Sequence, residues 1–187
     1  MKKNILTIVV AFAVMITGFF IFISSGAYDI SQLSPHNRFT LSIIKTITHS
    51  SINKGMKKVV VPDNLKDTAL IVMGFKHYNQ MCLSCHAAPG VRPGQMVEGL
   101  YPKPPELYKY AQEDDAREFF WITKNGIKMT SMPAFKPTYS DDEIWAITAF
   151  VTQKLGKMTT VEYQEWMKKY AKENKNDEVG GMGEDKK

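Results

Sequence analysis

The sequence CLSCH at residues 82–86 restricts the structure and chemistry of this chain more than any other stretch does. It contains Cys82 and Cys85, the only cysteines among 187 residues, and His86 follows directly. Two cysteines separated by two residues can form a redox-active disulfide, provide half of a zinc site or attach a haem. Each kind of site requires different residues elsewhere in the chain, so the rest of the sequence has to distinguish them.

The N-terminus is apolar enough to span a membrane. No residue from Ile5 to Ile23 is charged, and two lysines precede this run. A signal peptide has an apolar region of about 7–15 residues, whereas a spanning helix needs about 20. We therefore predict that residues 5–23 remain in the lipid bilayer as an uncleaved anchor. The small residues Ser25 and Ala27 also suit a signal peptidase, so a cleaved signal is the alternative.

The rest of the chain has helical periodicity, and the predicted fold class is all-α. One helix is expected to start at Asp63 or Asn64, a second to cover about residues 113–124, and a third to follow Ser140. Ser140 and Glu143 have the spacing of a capping box, which is typical of a helix start. No long run alternates apolar and polar residues, so no strand is predicted.

The spacing within CLSCH suits haem attachment. On a helix, Cys82 and Cys85 lie on one turn and can both reach one edge of a porphyrin, and His86 can then project towards the iron. The two other kinds of site lack support. A thioredoxin-like redox motif needs a βαβ context. A zinc site needs two more ligands, and no second cysteine pair or closely spaced histidine pair follows.

A haem held by one histidine needs a second axial ligand further along the chain. Met132 in the sequence SMPAF is followed by Pro133, which favours an extended conformation at Met132. That conformation suits a ligand held on a loop. Met129 is the competing candidate.

With these features the sequence resembles the class I c-type cytochromes, specifically the membrane-anchored type with one haem. The similarity covers about residues 65–156 and includes Gly74 and Tyr78, where that family's first helix crosses its last. Ile147 and Phe150 match the partner positions on the last helix.

The resemblance implies a small helical domain around one covalent haem c. Cys82 and Cys85 would form the thioether bonds, and His86 and Met132 would be the axial iron ligands. In this family a proline carbonyl accepts a hydrogen bond from the histidine ring, and the candidates are Pro89, Pro102 and Pro104. The pocket walls are expected to include residues 102–105, while Tyr101, Tyr108 and Trp121 are candidates for walls or for core packing.

Four parts are predicted along the chain. They are a membrane anchor (1–26), a basic linker with some ordered structure (27–62), a monohaem cytochrome c domain (63–157), and a short helix with a flexible polar tail (158–187). Basic and acidic residues are equally numerous in 63–157, which excludes a strongly basic soluble carrier. No nucleic-acid partner is expected.

The expected function is electron transfer, without catalysis. A saturated iron suits a one-electron carrier between membrane or periplasmic redox partner proteins. The alternative is a fixed cytochrome c subunit of a membrane oxidoreductase or terminal oxidase. A gas sensor or peroxidase would require Met132 to leave the iron. The expected location is the inner membrane, crossed once, with the haem domain on the periplasmic side.

Overall fold

The computed structural model describes residues 2–110 and 115–170, which fall into two compact units. The first unit ends at His36 and the second begins at Asn37. Helices dominate both, and within the described residues the β-structure is a single isolated bridge between Ala88 and Val91. The prediction of an all-α fold is confirmed.

The first unit contains one long apolar helix, α1, from Lys2 to Ser24. All of its side chains are exposed, and by length and composition it could cross a membrane. It includes the whole uncharged run from Ile5 to Ile23.

The second unit begins with α2, Arg38–Met56, which lies in the segment predicted as a basic linker. The side chain of Asn37 caps α2 by accepting a hydrogen bond from the backbone N–H of Thr40 at 2.8 Å. Ile52 of α2 is buried. Gly55 lies so close to the indole ring of Trp121 that a Cβ at this position would overlap it. This part of the predicted linker is therefore packed into the second unit.

Seven further segments complete the described helices of the second unit, together with two short 3₁₀ turns. They are α3 (Thr68–His77), a π-helical turn (Tyr78–Cys82), α4 (Leu83–His86), α5 (Leu107–Tyr110), α6 (Ala116–Asn125), α7 (Asp141–Gln153) and α8 (Thr160–Tyr170). The 3₁₀ turns cover Gln95–Gly99 and Leu155–Lys157.

The helix starts follow local capping chemistry. The capping box predicted for α7 is confirmed, because Ser140 and Glu143 each bond the other's backbone N–H. The predicted start of the first cytochrome helix at residue 63 or 64 is wrong. Asp67 is the N-cap of α3 and accepts a hydrogen bond from the N–H of Ala69 at 2.9 Å. Asp115 caps α6 in the same way, later than the start predicted near residue 113; residues 111–114 lie outside the described part.

The core of the second unit forms where α3 crosses α7. A Cβ added to Gly74 would overlap the backbone carbonyl of Ala146 and come within 2.9 Å of the Phe150 side chain. Tyr78 packs against Phe150 with ring centroids 5.4 Å apart. The predicted pairing of Gly74 and Tyr78 with the last cytochrome helix is therefore confirmed at Phe150, and Ile147 is fully buried in the same core cluster.

Helix α8 packs onto this core. Tyr163 is fully buried, and its hydroxyl donates a 2.7 Å hydrogen bond to the side-chain oxygen of Asn79. Trp166 packs edge-on against Phe75 at a centroid distance of 5.4 Å. The helix predicted after residue 158 is thus present, and the flexible tail predicted from about residue 173 lies outside the described residues.

The crossing of α3 and α7 gives a stability prediction. We expect Gly74→Ala to lower the free energy of unfolding by about 1–3 kcal/mol, because the new methyl group has to displace the α7 backbone. Gly99→Ala is the matched control, since no atom lies within 4 Å of a Cβ built there, and it should change stability by less than about 0.5 kcal/mol. Urea unfolding of the two variants measures the difference. Equal stabilities would contradict the close crossing.

Candidate functional site

The CLSCH sequence forms the end of one continuous helical segment. Cys82 is the last residue of the π-helical turn, and Cys85 and His86 lie on α4. The helix stops at Ala87, which has a positive φ of 57°. The buried hydroxyl of Tyr78 donates a 2.6 Å hydrogen bond to the carbonyl of Ala87 and so ties the end of α4 back to the core. The two cysteines and the histidine are therefore held on a short, anchored turn.

The ring of His86 is oriented by a backbone carbonyl. Its Nδ1 lies 2.9 Å from the carbonyl oxygen of Pro105. A carbonyl only accepts hydrogen bonds, so Nδ1 carries the proton and Nε2 keeps a free lone pair. Burial lowers the pKa of His86, which favours the neutral ring that metal ligation requires. The expectation that Pro89, Pro102 or Pro104 accepts this bond is wrong: the acceptor is Pro105.

Met132 lies on a loop that is bonded to the end of α6. The N–H groups of Phe135 and Lys136 bond the carbonyls of Thr123 and Lys124 at 3.2 and 3.1 Å. Gly126, with a φ of 67°, begins this loop. A Cβ on Gly126 would meet the backbone of residues 133 and 134 at 2.7 Å, so glycine is required for the loop to pass this closely.

The four residues predicted to hold the haem line a single cavity of about 440 Å³. Cys82, Cys85 and His86 contribute from α4 and the turn before it, and Met132 contributes from the loop after α6. Met129, the competing ligand, is absent from the described lining. It has a positive φ of 62° and its side chain is 78% exposed. The fold thus brings Met132, and not Met129, to the cavity that His86 lines.

Most of the remaining lining is apolar. It comes from three parts of the second unit: Met96, Pro102, Pro104, Pro105 and Leu107 between α4 and α6; Phe119, Ile122 and Thr123 on α6; and Ile127, Pro133 and Phe135 in the following loop. The expectation that residues 102–105 form a wall is confirmed.

The size and chemistry of this cavity fit a haem. Its volume lies in the range of about 300–1,000 Å³ typical of cofactor sites, and its walls are apolar. Thr123 supplies a further observation: the residue lines the cavity, and its buried hydroxyl has no hydrogen-bond partner among the described residues. A buried polar atom without a partner is costly, and a bound group with polar atoms would relieve that cost.

Cys82 does not have the electrostatics of a redox-active thiol. Burial, reinforced by the neighbouring Cys85, raises its pKa to about 12. Catalytic cysteine pairs work through a lowered pKa. A zinc site is equally unsupported, because no group of three or more His, Cys, Asp or Glu side chains comes together within the described ranges.

The three aromatic residues considered as walls of the cavity do not line it. Trp121 packs against α2 at Gly55, and Tyr108 lies against the main core cluster with its hydroxyl bonded to Glu106 at 2.8 Å. Tyr101 is absent from the described lining as well. The side of α6 that faces the cavity is instead Phe119, Ile122 and Thr123. Their spacing of three and four residues is the available sequence signal for this face.

The comparisons with known proteins support one family. Residues 69–151 match the family model described as "Cytochrome C oxidase, cbb3-type, subunit III". No curated protein and no solved structure matches the chain significantly. The matched residues run from α3 to α7 and include CLSCH, Met132 and the helix crossing at Gly74. The part of the chain that encloses the cavity is therefore similar to this family of c-type cytochromes.

Proposed function

We propose that this protein is a membrane-anchored one-electron carrier with a single covalent haem c. Cys82 and Cys85 would hold the haem through thioether bonds, and His86 and Met132 would bind its iron. The observation that carries the proposal is that these four side chains line one cavity, in which the carbonyl of Pro105 leaves Nε2 of His86 free to bind a metal.

Each residue has a separate part in this function. Bound haem supplies exchange of one electron between ferric and ferrous iron. His86 supplies an imidazole whose tautomer is set by Pro105. Met132 supplies a thioether, which would bind the iron, raise the reduction potential and leave no position there for a substrate. The mostly apolar walls would surround the porphyrin. With His86 and Met132 both bound to the iron, the site would exchange electrons and offer no place for a catalytic substrate.

The proposed location is the inner membrane, crossed once by α1, with the cytochrome domain on the periplasmic side. Support comes from the uncharged run Ile5–Ile23 within a helix of spanning length, preceded by Lys2 and Lys3. The sequence CLSCH is the second support, since CxxCH is the signature of c-type haem attachment.

A second candidate is a fixed subunit of a larger membrane oxidoreductase. The description of the matching family, subunit III of a cbb3-type oxidase, favours it. Purification from membranes in a mild detergent distinguishes the two candidates. A carrier should separate as a single polypeptide, whereas a subunit should retain stoichiometric partner polypeptides through several chromatographic steps.

The purified full-length protein tests the assignment directly. We expect its haem to resist extraction with acidified acetone, its potentiometric titration to follow a single one-electron wave, and its ferrous form to bind carbon monoxide poorly. These results follow from covalent attachment and from two protein ligands on one iron. Extractable haem would contradict a c-type site. Rapid carbon monoxide binding by the unmodified protein would contradict the carrier.

A further inference from the structure

Helix α2 has one apolar side that the described protein does not cover. Its packed side carries the buried Ile52 and the close contact of Gly55 with Trp121. On another side, Phe39, Ile43 and Ile47 are exposed by 76%, 44% and 63%. These three residues are spaced four apart, so they form one row along the helix.

The charges around this row are of one sign. No acidic residue occurs from Ile30 to Pro62, whereas five basic residues do: Arg38, Lys45, Lys54, Lys57 and Lys58. Lys54 follows Ile47 by seven residues, so it continues the same side of the helix as an exposed cation. An apolar row with basic residues beside it has the composition of a helix that lies in the surface of an anionic membrane.

The position of α2 in the chain favours lipid as the partner that covers this row of side chains. Residues 25–37 separate it from α1, the helix that could span a membrane. A helix tethered to a bilayer by so short a segment has a high effective concentration at its surface, so weak contacts suffice to hold it there.

We propose that α2 docks on the bilayer through Phe39, Ile43 and Ile47, with Lys54 and the following Lys57 and Lys58 among anionic lipid headgroups. The proposal rests on the membrane anchor of the proposed function. Because α2 also packs on α6, which lines the cavity, the docked helix holds the cytochrome domain in one orientation on the membrane. Helix α2 thus orients the cytochrome domain on the membrane in addition to packing within it.

Spin labels on the full-length haem protein in vesicles test this contact. One variant carries the label at Ile43→Cys, in the row, and the matched control carries it at Ser42→Cys, the exposed neighbour outside the row. The chain's own cysteines are occupied by haem, so each label has one target. Collision rates with oxygen, which concentrates in lipid, and with a water-soluble nickel chelate are measured in vesicles of phosphatidylglycerol and phosphatidylcholine.

The expected result is a severalfold higher ratio of oxygen to nickel collisions at position 43 than at position 42. Phosphatidylcholine vesicles alone should reduce this difference, because the lysines then have no anionic headgroups. Equal ratios at both positions would overturn the docking. Low collision rates with both reagents at position 43 would also overturn it and would indicate a protein contact instead.

Washing the vesicles with alkaline carbonate tests the anchor separately. Release of the chain from the vesicles would overturn the anchor and the docking together. If the chain is retained but position 43 is exposed to water, only the docking is overturned.

Discussion

Replacing Met132 with alanine is expected to remove the distal ligand and open the iron to external ligands. Three changes should follow: the near-infrared charge-transfer band of thioether-ligated ferric haem disappears, the ferrous form binds carbon monoxide, and the reduction potential falls. The fall should be on the order of a hundred millivolts, since axial ligands vary haem potentials over about 0.8 V. Optical spectroscopy and a potentiometric titration measure all three changes in one preparation.

Met129→Ala is the matched control for this experiment. Both methionines belong to the same short loop, but Met132 lines the cavity and Met129 is 78% exposed. The control should therefore leave the band, the affinity for carbon monoxide and the potential unchanged. If Met129→Ala produced the three changes and Met132→Ala did not, the ligand assignment would be wrong. If neither variant did, the iron would have a distal ligand from elsewhere or none.

Replacing both Cys82 and Cys85 with alanine is expected to abolish covalent haem incorporation. The two thiols lie on one anchored turn beside the cavity and are the only cysteines in the chain, so no other thiol can substitute. Each single variant should retain at most one thioether bond and incorporate much less haem. Peroxidase staining of denatured protein on a gel and the intact mass of the chain measure the covalent haem.

The control lies between the two cysteines. Ser84 is exposed on the same turn, and Ser84→Ala should incorporate haem as the unmodified chain does. A double cysteine variant that still carried haem after denaturation would contradict thioether attachment. Loss of haem in Ser84→Ala as well would show that the turn tolerates no substitution. The intact mass of the unmodified protein would then decide whether one haem is covalently attached.

Several features of this protein follow from local sequence because their interactions are local. The capping box of α7 joins residues three positions apart, and the uncharged run that makes α1 apolar is a property of a single segment. CLSCH places two thiols and an imidazole on one helical turn whatever surrounds them. The all-α fold follows for the same reason, since helical periodicity is repeated within each segment.

The close helix crossing was also accessible from the sequence, through the family resemblance. Gly74 and Tyr78 precede the cysteines at spacings typical of class I cytochromes, and the structure places Gly74 against α7 and Tyr78 against Phe150. The resemblance identified the crossing because only a residue without a side chain allows two backbones to approach this closely.

Other features depend on segments that are distant in sequence, and only the tertiary structure decides them. The carbonyl of Pro105, 19 residues away in the sequence, accepts the hydrogen bond from His86. The neighbouring Pro102 and Pro104 have the same kind of carbonyl, and local sequence does not distinguish them from Pro105. Trp121 is a large aromatic residue of the kind that often lines a cofactor pocket, yet it packs on Gly55 of α2. The smaller Thr123 lines the cavity instead. The periodicity of α2 and α6 predicts that each helix has an apolar side but does not specify which segment covers it, because hydrophobic burial is not directional. The sequence therefore determines the CLSCH turn and the helices, and the packing of distant segments determines which carbonyl orients the histidine and which side chains enclose the cavity.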